Sequence, residues 1–564
     1  MCGIAGLFDK KVTNISTIKK ITDQIAHRGP DDSGYYLTNK GFYLGMRRLS
    51  IIDLKNGSQP VETKKIVLIF NGEIFNFIEL RNKYLKEERD IKSDTIILAK
   101  IIDKKGFKIL DELKGFFTIA IYHKEKKKLY LIRDRFGIKP LYYFFDQTKL
   151  YFCSEINPLK KNLKIGKNNL NTEQVNNFFV LGYVPGTQRI YSGIKMLKAG
   201  TILEFDFDTI KIKLSQWNKI KKLNNIYIDS ETKLISKVED KISEAIKYWV
   251  RSDVDKVFAL SGGLDSSILA SIYSREFKNV NTISFVYSDI KKYKQFSELE
   301  NIKRITKKIN SNHQEYHWSN KEFSSEIESI VNAIEEPQGN SLLPWFLYKK
   351  IKKNFKVCVT GNGGDELFGN YNRPINYLKK TPSAYNINKF REHYFYNCYY
   401  FFKRELQKKY FIYNTKDISD IFYQILIKEK NQIDKSRNLS LLDYQTQFQD
   451  DMLFLEDKLS MRNSIETRAP YLDHDLFNFI FSLKKQRINN FEYKHLLKKV
   501  GYKLLPKIVI ESEKKGFSMP ISLVMRKNLR NQILHFLSKQ NLNRAGYINQ
   551  NYHDDFVLPM LKGD

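Results

Sequence analysis

The sequence predicts two domains, a mainly antiparallel β-rich one followed by an α/β one, and three observations carry that expectation. The first two hundred residues read as short apolar runs broken by Gly, Asn and Asp turns, for example Ile66 to Phe70, Phe116 to Tyr122 and Leu129 to Arg133, the spacing of strands joined by turns. Between about Ser215 and Ser230 the text turns polar and loses its period; Leu234, Val238, Ile242, Ile246 and Trp249 then recur on one helical stripe. Immediately afterwards Val257 to Leu260, a glycine-bearing turn and Ile268 to Tyr273 follow in the strand, loop, helix order of a nucleotide-binding unit. The expected boundaries are 2–214 for the first domain, 215–230 for a linker and 231–564 for the second.

Each element supports this division. A chain of 564 residues exceeds what one hydrophobic core serves. Two further runs, Asn281 to Tyr287 and Lys356 to Thr360, end at polar or glycine-rich loops, as parallel strands do when ligands bind at their carboxyl ends. The aromatic and lysine-rich stretch from Tyr377 to about Ser436 reads as a helical subdomain without a motif. Lys plus Arg number 95 against 63 Asp plus Glu, a net +32, but lysine is scattered through every segment. Solvated lysine faces are therefore expected rather than a nucleic-acid surface, and anionic substrates fit the charge. Cys2, Cys153, Cys358 and Cys398 form no CxxC pair, which argues against a disulfide framework or a zinc site. No basic and apolar leader and no bilayer-length apolar run is present, so a cytoplasmic location without membrane contact is expected.

The start, Met1-Cys2-Gly3-Ile4-Ala5-Gly6, places a small residue second, which permits removal of Met1. A thiol and a free α-amine would then share one residue, and the amine, with a pKa of roughly 7.7 to 8, is the base nearest neutrality for the thiol proton. Hydrolysis of free glutamine by such a nucleophile needs a cation for the carboxylate, anions for the ammonium and donors for a tetrahedral oxyanion. The first domain offers Arg48 for the carboxylate, Asp94 and Glu73 for the ammonium, and Asn71 with the Gly72 N–H, following the Ile66 to Phe70 strand, for the oxyanion. Taken alone, Asn71-Gly72 also reads as a hairpin turn, and Arg48 and Asp94 as surface charges.

In the second domain Leu260 and Ser261-Gly262-Gly263-Leu264-Asp265-Ser266-Ser267 lie between the expected strand and helix. Glycines there let backbone close on phosphate, while hydroxyls and helix N-terminal N–H groups donate to it. The loop lacks the Gly-Lys-Ser/Thr ending of a Walker loop and suits pyrophosphate. Thr360-Gly361-Asn362-Gly363-Gly364-Asp365-Glu366 puts carboxylates on a second glycine loop, suited to Mg²⁺ beside polyphosphate, with Asp265 and Asp365 as the candidate ligands. Gly361, and Ser284 and Phe285 in the Asn281 to Tyr287 run, complete the candidate ATP contacts.

The Cys-Gly-Ile-Ala-Gly start, His27-Arg28-Gly29-Pro30-Asp31, Arg48-Leu49-Ser50-Ile51 and Asn71-Gly72-Glu73-Ile74 resemble a class II glutamine amidotransferase domain. The Ser261 to Ser267 loop resembles the PP-loop of enzymes that cleave ATP to AMP and pyrophosphate. Ser460-Met461, Glu466-Thr467-Arg468-Ala469-Pro470-Tyr471-Leu472-Asp473 and Lys514-Lys515-Gly516-Phe517 are similar to later signatures of glutamine-hydrolysing asparagine synthetases, so the resemblance spans nearly the whole chain. It implies an αββα sandwich of the N-terminal nucleophile hydrolase type, Cys2 as nucleophile, a PP-loop domain with helical additions, and Lys514 near the ATP phosphates. It further implies an interior passage for ammonia, adenylation of an acceptor carboxylate, and a homodimer. Two departures bear on the acceptor. Asn362 stands where that family commonly has a glutamate assisting deprotonation of ammonia, and Glu336-Pro337-Gln338-Gly339-Asn340-Ser341 has Asn340 where an aspartate is frequent. Aspartate is the expected acceptor; the alternative is a uronic acid or nucleotide-sugar acid, as in bacterial relatives that amidate sugar acids for surface polysaccharides.

Overall fold

The computed structural model describes residues 2–38, 41–218, 226–287, 298–369, 372–381, 385–396, 402, 404–413, 417–428, 435–483, 494–512 and 521–563. In the first domain the strands are β1 (Cys2–Phe8), β2 (Asp32–Leu37), β3 (Phe42–Arg48), β4 (Val61–Glu62), β5 (Ile66–Ile74), β6 (Gly115–His123), β7 (Lys128–Arg133), β8 (Tyr142–Phe145), β9 (Leu150–Cys153), β10 (Ile194–Met196), β11 (Thr201–Asp206) and β12 (Lys211–Gln216). They form two six-stranded sheets, β10-β8-β9-β1-β3-β2 and β12-β11-β7-β6-β5-β4, antiparallel throughout.

Alternation of side chains along each strand builds the layers. Cys2, Ile4 and Phe8 of β1, Leu44 and Met46 of β3 and Val67 and Ile69 of β5 fill the space between the sheets. On the opposite faces, Ala5 and Leu7 pack beneath Ile18 and Ile21 of the helix Ser16–Asp23, and Leu68 and Phe70 meet Ile97 and Ile101 of the helix Asp94–Lys105. This is the expected αββα sandwich. The apolar run that begins at Ile66 stops at Phe70 in the sequence, whereas β5 continues through Asn71 and Gly72, which pair with Thr118 and Phe117. Asn71-Gly72 is thus strand, not a hairpin turn, because β6 supplies a partner over the whole length.

The second domain holds a five-stranded parallel sheet of β13 (Lys256–Ala259), β14 (Asn281–Tyr287), β15 (Asn312–Trp318), β16 (Val357–Val359) and β17 (Glu466–Arg468), in the order β15-β14-β13-β16-β17. The chain runs outward from β13 to β15 and returns beside β13 as β16, so the loops after β13 and β16 diverge across a topological switch point, the crevice where open α/β sheets bind ligands. The predicted apolar stripe becomes the helix Glu231–Trp249, capped by Ser230, with Leu234, Val238, Ile242, Ile246 and Trp249 all buried. Helices Asn372–Lys380, Ser419–Lys428 and Lys435–Asp443 form the expected helical addition, with Tyr377, Phe390, Tyr394 and Phe422 packed in one core with Val180, Leu181 and Tyr183 of the first domain. Among the described residues no helix is long and apolar enough to cross a membrane.

Candidate active site

Strand register assembles the first group. Cys2 pairs with Arg48 across β1 and β3, and Asn71 and Glu73 continue the inward-facing alternation of Val67 and Ile69 on β5. Cys2, Arg48 and the pair Asn71 and Glu73, from three strands, therefore meet between the two sheets at one end of the sandwich. The Cys2 backbone N–H donates to Asn71 Oδ1 at 3.1 Å, which leaves the buried Asn71 Nδ2 as a donor without an acceptor, poised for a developing negative charge. At Gly72 the φ is +156°, and a Cβ there would lie 2.1 Å from the Phe116 carbonyl oxygen, so the close approach of β6 requires glycine.

Arg48 is buried. Its guanidinium donates only to backbone carbonyls among the described contacts, those of Ile52 (3.1 Å), Asp53 (2.7 Å) and Leu54 (3.5 Å), so its charge is held in place yet paired with no carboxylate among the described residues. Gly57 makes room for it, since a Cβ would sit 2.0 Å from Arg48 Nη2. Asp94 opens its helix, accepting from the N–H groups of Ile74 (3.1 Å) and Thr95 (2.7 Å). Burial raises the pKa of Asp94, and burial together with the nearby Glu466 and Asp94 raises that of Glu73 well above the carboxylate range. A pocket with two such carboxyls favours an arriving ammonium, which offsets the penalty of ionising them.

Burial also pushes the Cys2 thiol up to about 11, so it requires an adjacent base. Sequence reasoning missed Gln59. Its side chain accepts from the Phe70 N–H (2.6 Å), donates to the Phe70 carbonyl (3.2 Å) and brings Nε2 to 3.8 Å from Cys2 Sγ. Glutamine has no acid–base chemistry and lies 57 residues from Cys2, so the sequence carries no signal for it.

The second group sits at the switch point. After β13, Gly262 adopts φ +85°, Ser261 Oγ accepts from the Gly263 N–H (3.2 Å), and Ser267 Oγ donates to the Gly263 carbonyl (2.6 Å). Gly263 caps the helix Leu264–Glu276 without a side-chain hydrogen bond, and the N-terminal turn of that helix is an anion site by position. Gly361 and Gly364 let the loop after β16 press onto the helix start: added Cβ atoms would lie 3.0 Å from the Ser266 nitrogen and 2.5 Å from Asp265 Oδ1. Between these loops opens a cavity of about 380 Å³ lined by Leu260, Ser261, Asp265, Phe285, Gly361 and Asp365 among others. Ser284 is buried, its hydroxyl donating to the Leu260 carbonyl at 2.6 Å, so it braces the loop from behind.

The carboxylates of Asp265 and Asp365 converge on one ammonium, that of Lys494, 2.7 Å from Asp365 Oδ1 and hydrogen-bonded to Asp265. Two carboxylates aimed at a single cationic point make a donor set that a divalent ion completed by phosphate oxygens fits; among the described residues no larger cluster of metal-ligating side chains occurs. Lys494 carried no motif in the sequence reading. Lys514 lies outside the described residues.

A buried polar interface joins the two groups. Arg28 donates to the Cys2 carbonyl (3.4 Å) and pairs with Glu155 (3.2 Å) and, across the domains, Asp457 (2.9 Å). Lys139 of the first domain reaches the same Asp457 at 3.1 Å. Lys458 pairs with Glu335, which accepts from the N–H groups of Ile156 and Asn157 at 2.8 Å each. The His27 to Asp31 segment thus serves as an interdomain clasp: Asp31 binds Lys356 at 2.7 Å and the His27 carbonyl accepts from Ser464 at 2.7 Å. A small void of about 10 Å³ between Lys139, Asp457, Asn362 and Glu456, about one small molecule wide, shares Thr360, Asn362 and Glu456 with the large cavity.

Comparison with known proteins agrees with both halves. Residues 1–217 match the glutamine amidotransferase domain family and residues 237–559 the asparagine synthase family. Asparagine synthetase [glutamine-hydrolyzing] 1 of Bacillus subtilis is 28% identical, over 100% of this chain and 93% of its own length, and asparagine synthetase [glutamine-hydrolyzing] 3 of that organism is 27% identical over 92% and 87%. A Methanocaldococcus jannaschii protein is 32% identical over 69% of this chain and 80% of its own length. With its nucleophile-type sandwich, its switch-point loops and these matches, the chain belongs to the asparagine synthase family, the glutamine-hydrolysing carbon–nitrogen ligases.

Proposed function

We propose that residues 2–214 hydrolyse glutamine and that residues 231–564, after a linker at 215–230, use the released ammonia to amidate a carboxylate activated with ATP. In this reading Cys2, freed of Met1, is the nucleophile and its own α-amine the base. Arg48 binds the glutamine carboxylate, Glu73 and Asp94 its ammonium, and Asn71 Nδ2 with the Gly72 N–H the oxyanion. Residues 260–267, Phe285, Gly361 and Lys514 contact ATP, with Ser284 supporting the loop. Asp265 and Asp365 would hold Mg²⁺, whose charge would favour departure of pyrophosphate. Ammonia crosses the interface beside Lys139 and Asp457, shielded from water. The observation that carries this reading is the sharing of Thr360, Asn362 and Glu456 between the nucleotide-sized cavity and the void that reaches the first domain.

Aspartate is the acceptor on this proposal, giving asparagine, AMP and pyrophosphate. One observation favours a sugar acid instead. Among the described residues lining the cavity the charged ones are Asp265, Asp365, Glu366 and Glu456, which offers no cation for the second carboxylate of aspartate, while Asn340, Ser341 and Asn362 suit hydroxyls. Carboxylate-dependent pyrophosphate release, with aspartate set against a panel of uronic and nucleotide-sugar acids, decides between them. Release with aspartate alone supports asparagine synthesis, release with a sugar acid alone supports the second reading, and release with neither refutes the synthetase role.

Gly57→Ala tests the Arg48 role. The new methyl displaces the guanidinium from its three carbonyls, so the glutamine KM is expected to rise roughly 10-fold, the worth of about one charged hydrogen bond, with ammonia-supported synthesis unchanged. An unaltered KM would remove Arg48 from the binding site.

A further inference from the structure

Amide formation from ammonia needs a base, and the loop position that could supply one holds Asn362, whose amide accepts no proton. A carboxylate from a different element reaches that position. Glu456, on the helix Phe454–Arg462, lines both the large cavity and the small void beside Lys139 and is hydrogen-bonded to Asn362 itself. Tyr348, on the facing helix Pro344–Ile351, donates its hydroxyl to Glu456 Oε1. We propose that Glu456 is the general base of the amide-forming step, this helix supplying to the cavity the carboxylate that position 362 lacks. The inference rests on the synthetase reading above.

The surroundings of Glu456 fit a base rather than a structural acid. Its interdomain neighbours in the network, Asp457, Glu335 and Glu155, each face a full cationic partner, whereas the described hydrogen bonds of Glu456 are to the neutral groups Tyr348 and Asn362. Both fix its orientation without consuming its basicity as an ion pair would. The titratable and charged groups facing it are Tyr348, Lys139 from the first domain, Asp457 on its own helix and Cys358 on β16. Burial first, with Asp457, pushes its pKa up against the opposing hydrogen bonds and Lys139, to about 7; Tyr348, raised well above 10 by burial and by Glu456, stays a donor. A carboxylate in that range is matched to accept a proton near neutral pH.

In the step, the nitrogen of ammonia attacks the carbonyl carbon of the acyl-adenylate and a C–N bond forms. One N–H proton passes to Glu456. The tetrahedral adduct then collapses, the carbon–oxygen bond to AMP breaks, AMP leaves with that electron pair, and Glu456 returns its proton to solvent.

The test uses the full chain carrying Glu456→Gln, with ATP and whichever panel acid the unmodified enzyme turns over, and with glutaminase activity as the measure of folding. Carboxylate-dependent ATP–pyrophosphate exchange is expected to stay within about threefold, while amide formation from ammonia falls about 100-fold or more, the usual contribution of a general base. The limb of the pH–rate profile near pH 7 disappears with it. Adding Asn362→Glu, which returns a carboxylate to the loop, is expected to restore amide formation at least 10-fold over the single variant. Equal loss of exchange and amidation, unchanged amidation, or no rescue by the second substitution overturns the assignment. If the unmodified enzyme releases pyrophosphate with no panel acid, the synthetase reading fails and the base with it; if it does release pyrophosphate and the variants behave otherwise than stated, only the base fails.

Discussion

Replacing Cys2 by alanine is expected to lower glutamine hydrolysis by roughly 10⁴- to 10⁶-fold, the range seen when a nucleophile or its activating partner is removed, while ammonia-supported synthesis continues. The reason is local. Burial pushes the Cys2 thiol up to about 11 and the equally buried Cys153 thiol up to about 12, so at neutral pH roughly one thiol in 10⁴ or fewer is ionised unless a base takes the proton. Neither burial nor the surrounding charges single out Cys2. Its position does, because removal of Met1, as proposed, would give it an α-amine of its own. Cys153→Ala is therefore the matched control, expected to keep glutamine hydrolysis. The mass of the active protein should lack the initiator methionine; an active chain that retains it, or a Cys2→Ala variant that still hydrolyses glutamine, sinks the assignment.

Asp457→Ala is expected to destabilise the protein by about 3–5 kcal/mol, the cost of leaving a buried charge without its partner, because it removes the described ion-pair partner of Lys139 and one of the two of Arg28. Arg28 and Lys139 are fully buried and both point at Asp457. Differential scanning calorimetry should show a lower thermal midpoint, and amide formed per glutamine hydrolysed should fall, since the same contacts seal the interface between the thiol pocket and the cavity. An unchanged midpoint together with unchanged coupling would show that the clasp is dispensable. The pH dependence has a definite sign. Burial alone would raise the Asp457 pKa, but Arg28 and Lys139 hold it below the usual carboxylate value. Its contribution is complete above the unfolded pKa of about 3.9 and is lost as pH falls through the lower folded value. Asp457→Ala should thus narrow its stability gap to the unmodified protein in acid, below about pH 4, and hold it constant near neutrality.

The His27 to Asp31 segment shows how a sequence signature and its physical role can differ. It helped to identify the first domain, yet the structure uses Arg28 and Asp31 to grip Asp457 and Lys356 of the second. A buried ion pair between residues 429 positions apart leaves no local pattern, because each partner looks like any surface charge until the fold removes it from water. Gln59 and Lys494 escaped notice for the same reason: their importance lies in what they touch.

By itself the sequence determined the kinds of layers and the chemistry at their ends. Alternating apolar runs with glycine turns dictate strands, an i+4 stripe dictates the helix Glu231–Trp249, and glycine loops after apolar runs dictate where backbone can close on phosphate, all because these depend on neighbours within a few residues. Only the tertiary structure decided that β5 runs on through Asn71 and Gly72, that Asp265 and Asp365 converge on one cation, and that Glu456 sits beside Asn362 in the lining of the cavity. Those facts follow from register across sheets and from contact between domains, where burial sets charge and pKa, and no local pattern in a chain records which distant groups will share a low-dielectric space.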